Sequence, residues 1–244
     1  MLLRLCTRLR SPHWAALALS LIGSIAIATR QAGADNPLSV KSEAQAGVGV
    51  GSPVAPSGSP AAIDGFRDAR FGMSEEQVRA VVRREFPAAT ASLMSAVNPS
   101  EKTSVLSITV PDLVPQTGNA HISYIFGYRS RKLIQVNIVW TSNRSRANDE
   151  AIVSTANALR DYFNSENFAP NSIVANRQLS PNTILVFRGT DDKKRTVLLV
   201  LSGVPGSVRS EDKKAPRPEP LTLELAYVED ATHPDVFRIS KGQF

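Results

Sequence analysis

The chain has 244 residues, of which 42% are hydrophobic and 20% are charged. This length and composition allow a sizeable core in one or two domains, and they exclude both a membrane-protein composition and a wholly disordered chain. The formal net charge of +6 would suit a nucleic acid or another anionic partner, but much of that charge lies near the N-terminus.

The N-terminal segment, residues 1–34, has the pattern of a secretory signal peptide. A basic start is followed by an uncharged apolar run over residues 15–28, and Ala-Gly-Ala at residues 32–34 provides a cleavage site. We expect cleavage before Asp35, with a cut after Ala28 as the alternative. The apolar run is shorter than the roughly 20 residues that cross a bilayer, so an uncleaved membrane anchor is the weaker interpretation.

Cleavage of this segment changes the interpretation of the charge. It would remove four arginines and no acidic residue, and would leave a net charge of about +2. A charge this small does not favour nucleic acid as a partner. The only cysteine, Cys6, precedes the apolar run, whereas the lipid-acceptor cysteine of a lipoprotein follows it. We therefore predict a periplasmic or secreted protein with no stable membrane anchor after cleavage, no disulfide and no cysteine metal site.

Residues 35–61 are rich in glycine, proline, serine and alanine and contain almost no large apolar side chain. Such a segment cannot bury enough surface to offset the entropy that is lost on ordering, so we predict a disordered linker. The folded part is expected to be one α+β domain over residues 62–239. A possible duplication divides this domain into halves of about residues 62–145 and 146–239.

The best-defined helix start lies in FGMSEEQVRAVVRREF, residues 71–86. Ser74 is a favourable N-cap, Gln77 completes a capping box three residues later, and two glutamates in the first turn suit the helix dipole. Valines at helical spacing follow, and Pro87 ends the helix. Because each residue has a structural reason to be there, the motif predicts a helix start and not a site of action.

Three strands are predicted after this helix from the alternation of apolar residues. The alternating residues are Leu106, Ile108 and Val110, then Ile122, Tyr124, Phe126 and Tyr128, then Ile134, Val136, Ile138 and Trp140. The sequence GYRSRK between the last two runs is typical of a hairpin loop, so we expect an antiparallel meander with one buried face. Residues 88–99 are ambiguous and either extend the helical region or form a loop.

The same pattern follows in the second half. A helix is predicted over residues 148–164, with Asn148 or Asp149 as its cap. Three strands are then expected at about residues 183–188, 195–202 and 221–227. The order α-β-β-β-α-β-β-β predicts an α+β fold of two similar halves, each with one helix followed by a three-stranded antiparallel meander.

The stretch ARFGMSEEQVRAVV resembles the helix-start motif of the small outer-membrane assembly lipoproteins, the SmpA/OmlA or BamE-like family. The matching residues are Gly72, Met73, Ser74, Gln77 and Val78. The predicted tandem order of helix and sheet is also similar to the modules of beta-lactamase inhibitory protein. Both resemblances imply an exported protein that binds other proteins and catalyses no reaction.

No residues in the sequence form a recognisable catalytic or metal-binding pattern. His121 and His233 are not in a metal-ligand spacing, and no nucleophile elbow, Walker loop or dinucleotide-binding glycine pattern occurs. Asp191 and Asp192 are adjacent carboxylates, but they lie in GTDDKK, whose composition is that of a hairpin turn. We therefore predict no catalytic residue, no metal site and no cofactor.

The leading hypothesis is an exported, non-enzymatic interaction module of the bacterial cell envelope. Its partner would be an unknown envelope protein or an anionic envelope component. Basic residues at two hairpin tips are the candidate contacts, because equivalent hairpins could form one basic rim, although lysine and arginine are also ordinary at solvated turns. These residues are Arg129, Arg131, Lys132, Lys193, Lys194 and Arg195. The alternative is a hydrolase or a small-ligand-binding protein whose site is assembled from residues scattered in the sequence.

Overall fold

A computed structural model of the protein describes residues 59–204, 219–239 and 242. These residues belong to a unit that begins at Ser59. The predicted signal peptide and nearly all of the predicted linker lie outside the described residues. Within the described part of the chain, no helix has the length and apolar character needed to span a membrane.

The first part of the chain forms a small hairpin, one α-helix, one 3-10 helix and four further strands. In chain order these are β1 (Gly65–Phe66), β2 (Ala69–Arg70), α1 (Glu75–Glu85), the 3-10 helix Pro87–Ser92, β3 (Met94–Val97), β4 (Ser104–Pro111), β5 (Asn119–Phe126) and β6 (Leu133–Thr141). The second part begins with a longer helix and also ends in four strands. Its elements are α2 (Arg146–Ser165), the 3-10 helix Pro170–Ser172, β7 (Val174–Ser180), β8 (Thr183–Thr190), β9 (Thr196–Ser202) and β10 (Thr222–Val228).

Eight of these strands form one antiparallel sheet in the order β3-β4-β5-β6-β10-β9-β8-β7. Strands β6 and β10 pair at the centre, where Ile138 lies opposite Leu225. The predicted α+β fold of two halves with three-stranded meanders is therefore wrong. The described residues are mainly β-structure in a single continuous sheet, with a separate two-stranded sheet formed by β1 and β2.

The two strands that the sequence pattern missed, β3 and β7, are the outer strands of the sheet. All four residues of β3 are exposed, and six of the seven residues of β7 are exposed. Apolar alternation arises only where one face of a strand is buried, so strands that are exposed on both faces carry no such signal. Residues 88–99, which were ambiguous, include all but the first residue of the 3-10 helix and all of β3.

Helix α1 confirms the predicted capping box. The Gln77 backbone N–H donates to the Ser74 hydroxyl at 3.4 Å, and the Ser74 N–H donates to Oε1 of Gln77 at 2.8 Å. Val78, Val81 and Val82 form its buried face. The helix ends at Glu85, directly before Phe86 and Pro87, as predicted.

Helix α2 begins earlier than predicted. Its N-cap is Ser145, whose hydroxyl accepts a hydrogen bond from the Asn148 N–H at 3.3 Å, so the predicted caps Asn148 and Asp149 are wrong. The Asn148 side chain instead joins two loops, because it donates to the Gln116 carbonyl at 2.9 Å and accepts from the Asn143 N–H at 2.9 Å. Asn148 is buried, so these two hydrogen bonds belong to the interior of the fold.

Both helices pack on one face of the sheet, which we call the first face. Phe163 of α2 stacks on Phe187 of β8 with ring centroids 5.5 Å apart. The centroid of the Phe163 ring lies 6.4 Å from that of Tyr227 of β10. Tyr124 of β5 lies in the same row as Tyr227, since Val136 is the partner of both. Burial and the nearby Glu85 carboxylate at the end of α1 raise the pKa of Tyr124. Because side chains alternate along a strand, the residues that precede and follow Tyr124 and Tyr227 point to the opposite side of the sheet, which we call the second face.

Candidate binding surfaces

The two predicted basic triplets lie at the same end of the sheet. The hairpin between β5 and β6 carries the first triplet, and the hairpin between β8 and β9 carries the second. Val228 of β10 pairs with Gln135 near the start of β6 and with Thr196 at the start of β9. Both hairpins therefore lie at the same end of the sheet. The hairpins are separated by three strand spacings, which is about 14 Å.

This end of the sheet also carries acidic groups that bind the hairpins. The guanidinium of Arg195 forms an ion pair with Asp64 and donates to the Ile63 carbonyl at 3.3 Å. The Asp235 carboxylate accepts hydrogen bonds from the N–H groups of Arg129 at 3.1 Å and Ser130 at 2.8 Å. These bonds hold the pKa of Asp235 below its usual range even though burial opposes the shift. The candidate rim is therefore a surface of mixed charge.

Of the six candidate residues, Arg195 stands apart from the other five. Its side chain is only 20% exposed, and its guanidinium lies 5.7 Å from the ring centroid of Phe71. The side chains of the other five are exposed at the two hairpins: Arg129, Arg131, Lys132, Lys193 and Lys194. Arg195 thus stabilises the fold, whereas the charges of the other five residues are exposed to solvent.

The carboxylate of Asp191 shapes the turn in which it lies. Its Oδ1 atom accepts hydrogen bonds from the N–H groups of Lys193 at 2.9 Å and Arg195 at 2.8 Å. Asp191 is buried, whereas Asp192 is exposed. The interpretation of GTDDKK as a turn is confirmed. Among the described residues, no group of three or more His, Cys, Asp or Glu side chains is arranged to hold a metal ion.

The two histidines are far apart in the fold and differ in environment. His121 lies on β5, where its Nδ1 atom is 3.0 Å from the Thr109 hydroxyl and burial lowers its pKa. It also lines a small polar cavity of about 350 Å³ at the N-terminal end of β5. His233 is 83% exposed and lies 3.9 Å from Asp230. The structure does not bring the two imidazoles together.

The free edge of β3 is a regular strand edge. The Asn98 N–H donates to the Thr103 carbonyl at 2.9 Å, and pairing alternates along an antiparallel ladder. Met94 and Ala96 therefore direct their N–H and C=O groups towards β4, whereas Ser95 and Val97 direct theirs away from the sheet. The side chains of Met94 and Val97 are 54% and 65% exposed. Among the described residues, no strand pairs with this edge, which combines outward backbone groups with exposed apolar side chains.

The opposite edge, β7, is irregular. Asn176 has a φ of 53°, in the left-handed region, and the register with β8 shifts between Gln178 and Ser180. Irregularities of this kind bend an edge strand and prevent another strand from pairing along it. Of the two edges, β3 is therefore the one suited to accept a further strand.

The second face of the sheet contains a central carboxyl group. Glu224 lies between Leu223 and Leu225, which face the core, and its neighbours across the sheet are Val139 and Val200. Burial raises the pKa of Glu224 to about 7. On the neighbouring strand β6, the buried Gln135 side chain donates to the amide oxygen of Asn137 at 2.7 Å. The second face is therefore partly buried at the centre of the sheet and is not fully exposed to water.

A cavity of about 970 Å³ lies beside the N-terminal half of α2. Its wall is largely apolar and includes Val153 and Ala156 of α2, Ile184 and Val186 of β8, and Leu201 of β9. Phe163 fills the space between the C-terminal half of α2 and the sheet, whereas the α2 residues Val153 and Ala156, which line the cavity, are smaller. A second groove of about 600 Å³ lies on the other side of the same helix half and includes Ala147.

Comparisons with protein-family models, with curated proteins and with solved structures find no match for this chain.

Three of these features were missed in the sequence. The β3 edge has no periodic signal, and the cavity depends on which helix residues face which strand. Glu224 was detectable in principle, because it interrupts the apolar run LTLELAYV at a position where alternation predicts the outer face. Its burial was not detectable, because it depends on neighbouring strands that are distant in sequence.

Proposed function

We propose that this protein is an exported, non-enzymatic interaction module of the bacterial cell envelope that binds a partner protein by strand addition at β3. The free edge of β3 supports the proposal. The outward N–H and C=O groups of Ser95 and Val97 can pair with an extended segment of the partner, which then becomes one more strand of the sheet.

The side chains of β3 define the chemistry of that segment. Met94 and Ala96 lie on one side of the strand and Val97 lies on the other, and all three are exposed. An extended segment with apolar residues would cover these side chains and remove their surface from water. Arg79 of α1 hydrogen-bonds the Ser95 hydroxyl, so the helix holds one side of the edge in place.

A photo-cross-linking amino acid tests the location of the contact. Placed at Met94, it should capture an envelope protein in the exporting cell, whereas the same group at Leu179, on β7, should not. Capture by both positions, or by Leu179 alone, would contradict contact at β3.

Two substitutions of Val97 test the backbone bond itself. Val97→Pro removes one outward N–H group and keeps the ladder to β4, since proline is tolerated on an edge strand when its nitrogen faces away from the sheet. Val97→Thr is the matched control, because threonine keeps the N–H group and the branched shape. We expect Val97→Pro to abolish capture at Met94 and Val97→Thr to retain it. Equal capture by both variants would refute strand addition.

The five exposed basic residues at the hairpins supply a second proposed contact, with an anionic envelope component. Electrostatic attraction of this kind weakens as salt screens it. Replacing the five residues by glutamate should reduce the salt dependence of partner binding. Unchanged binding across a salt titration would exclude the rim as a contact surface.

A further inference from the structure

The cavity beside α2 leads to an inference that is independent of the β3 contact, because it lies at strands β8 and β9 on the other half of the sheet. We propose that this cavity is a binding site for a small, largely apolar and uncharged molecule of about the size of a single acyl chain. The volume of about 970 Å³ lies within the range of roughly 300–1,000 Å³ that is typical of small-molecule sites.

The lining of the cavity supports an apolar ligand. Val153 is 40% exposed although it lies on the helix side that faces the gap, and Ile184 is half-buried. The deeper wall is formed by Val186 and Leu201, which are buried. Aliphatic side chains that remain in contact with water favour a ligand that displaces this water. A ligand with an apolar chain would cover them without disturbing the stacking of Phe163 on Phe187.

Of the five charged side chains in the lining, three have partners within the protein, and the other two, Arg144 and Glu219, are of opposite charge. The Glu150 carboxylate pairs with Arg146 at 2.7 Å, and Asp149 accepts a hydrogen bond from the Ser142 hydroxyl. The guanidinium of Arg160 donates to Asp161 at 2.9 Å and to Asn157 at 3.0 Å. Because Asp149, Glu150 and Arg160 already have partners within the protein, these three groups do not require a counter-charge from the ligand.

The neutral fluorescent probe N-phenyl-1-naphthylamine tests the site. The exported protein, purified from an exporting host, should bind it in a saturable titration with one site per chain, and 1-dodecanol should displace it. Val153→Trp places a large side chain in the cavity from an exposed position and should weaken the affinity by about tenfold or more.

Ala147→Trp is the matched control, because Ala147 is exposed on the same half of α2 but faces the smaller groove. This variant should bind the probe within about twofold of the unmodified protein. Circular dichroism and the thermal midpoint verify that both variants are folded. The proposal is wrong if the unmodified protein shows no saturable binding, if both variants weaken binding equally, or if Ala147→Trp alone weakens it.

Discussion

The Asp191 carboxylate accepts a hydrogen bond from the backbone N–H of Ile63 at 3.0 Å, across 128 residues of sequence. The other oxygen of this carboxylate holds the turn between β8 and β9. One buried side chain therefore defines a hairpin and attaches the start of the folded chain to it. Ile63 is itself buried in the core, so the attachment also positions an apolar residue.

Removing this carboxylate should be costly. Asp191→Ala leaves the N–H groups of Ile63, Lys193 and Arg195 without their acceptor, and we expect a loss of about 3 kcal/mol in the free energy of unfolding. Asp192→Ala, at the exposed neighbouring position, should change it by less than about 0.5 kcal/mol. Urea unfolding of both variants measures the difference. Equal losses would show that the Asp191 contacts contribute nothing specific.

Arg195 should behave differently from the basic residues beside it. Arg195→Glu places a negative charge next to Asp64 and removes a partly buried ion pair. We therefore expect the free energy of unfolding to fall by about 2–3 kcal/mol. Lys194→Glu lies in the same turn but is exposed, and its effect should stay below about 0.5 kcal/mol. Thermal unfolding followed by circular dichroism compares the two. A stable Arg195→Glu variant would mean that the ion pair is not formed in solution.

The capping box of α1 should act on stability and not on binding. Ser74→Ala removes the acceptor for the Gln77 N–H and should cost about 1 kcal/mol. Ser100→Ala, at an exposed turn position, is the control and should have almost no effect. Urea unfolding gives the stability, and cross-linking from Met94 gives the binding. Loss of partner capture at unchanged stability would assign the motif a functional role.

The raised pKa of Glu224 predicts a specific dependence of stability on pH. A folded pKa of about 7 means that the folded state binds the proton more tightly than the unfolded chain. The contribution of Glu224 to the free energy of unfolding is therefore most favourable below the ordinary carboxyl pKa of roughly 4.5, and it decreases as the pH rises towards 7. Between these two pH values the free energy of unfolding falls by about 3 kcal/mol, since each unit of pKa difference corresponds to about 1.4 kcal/mol.

Glu224→Gln removes this dependence. We expect the variant to match the unmodified protein near pH 4 and to exceed its stability near pH 8. Asp192→Asn, at an exposed turn position, controls for the loss of one negative charge. Urea unfolding across the pH range provides the measurement, and a constant difference between Glu224→Gln and the unmodified protein would contradict the buried environment of Glu224.

Amide hydrogen exchange can verify the orientation of β3. The N–H groups of Ser95 and Val97 point away from β4 and should exchange rapidly, whereas that of Ala96 points towards Val105 and should be protected. Ala96→Pro should accordingly destabilise the protein more than Val97→Pro, because only the former loses a ladder bond. Protection of Val97 in the isolated protein would show that the edge is already covered.

Several parts of the fold were predictable because their causes are local. The capping box of α1 depends on Ser74 and Gln77, three residues apart, and the turn at Asp191 depends on hydrogen bonds within five residues. The strands β4, β5 and β6 were recognisable because the residues that face the core are apolar and alternate with polar ones, although β6 is buried on both faces. The end of α1 at Pro87 follows from the missing N–H group of proline.

What the amino-acid sequence determined by itself was therefore the start of α1, the turn at Asp191 and the strands with alternating apolar residues, because those signals arise between residues that are close in the chain. Only the tertiary structure decided that both halves share one sheet, since the pairing of β6 with β10 joins residues that are 81 to 93 positions apart. It also decided which strands form the edges, because β3 and β7 are exposed on both faces and carry no periodic pattern. The burial of Glu224 and the gap beside Ala156 likewise depend on side chains brought together from distant segments, so no local pattern could reveal them.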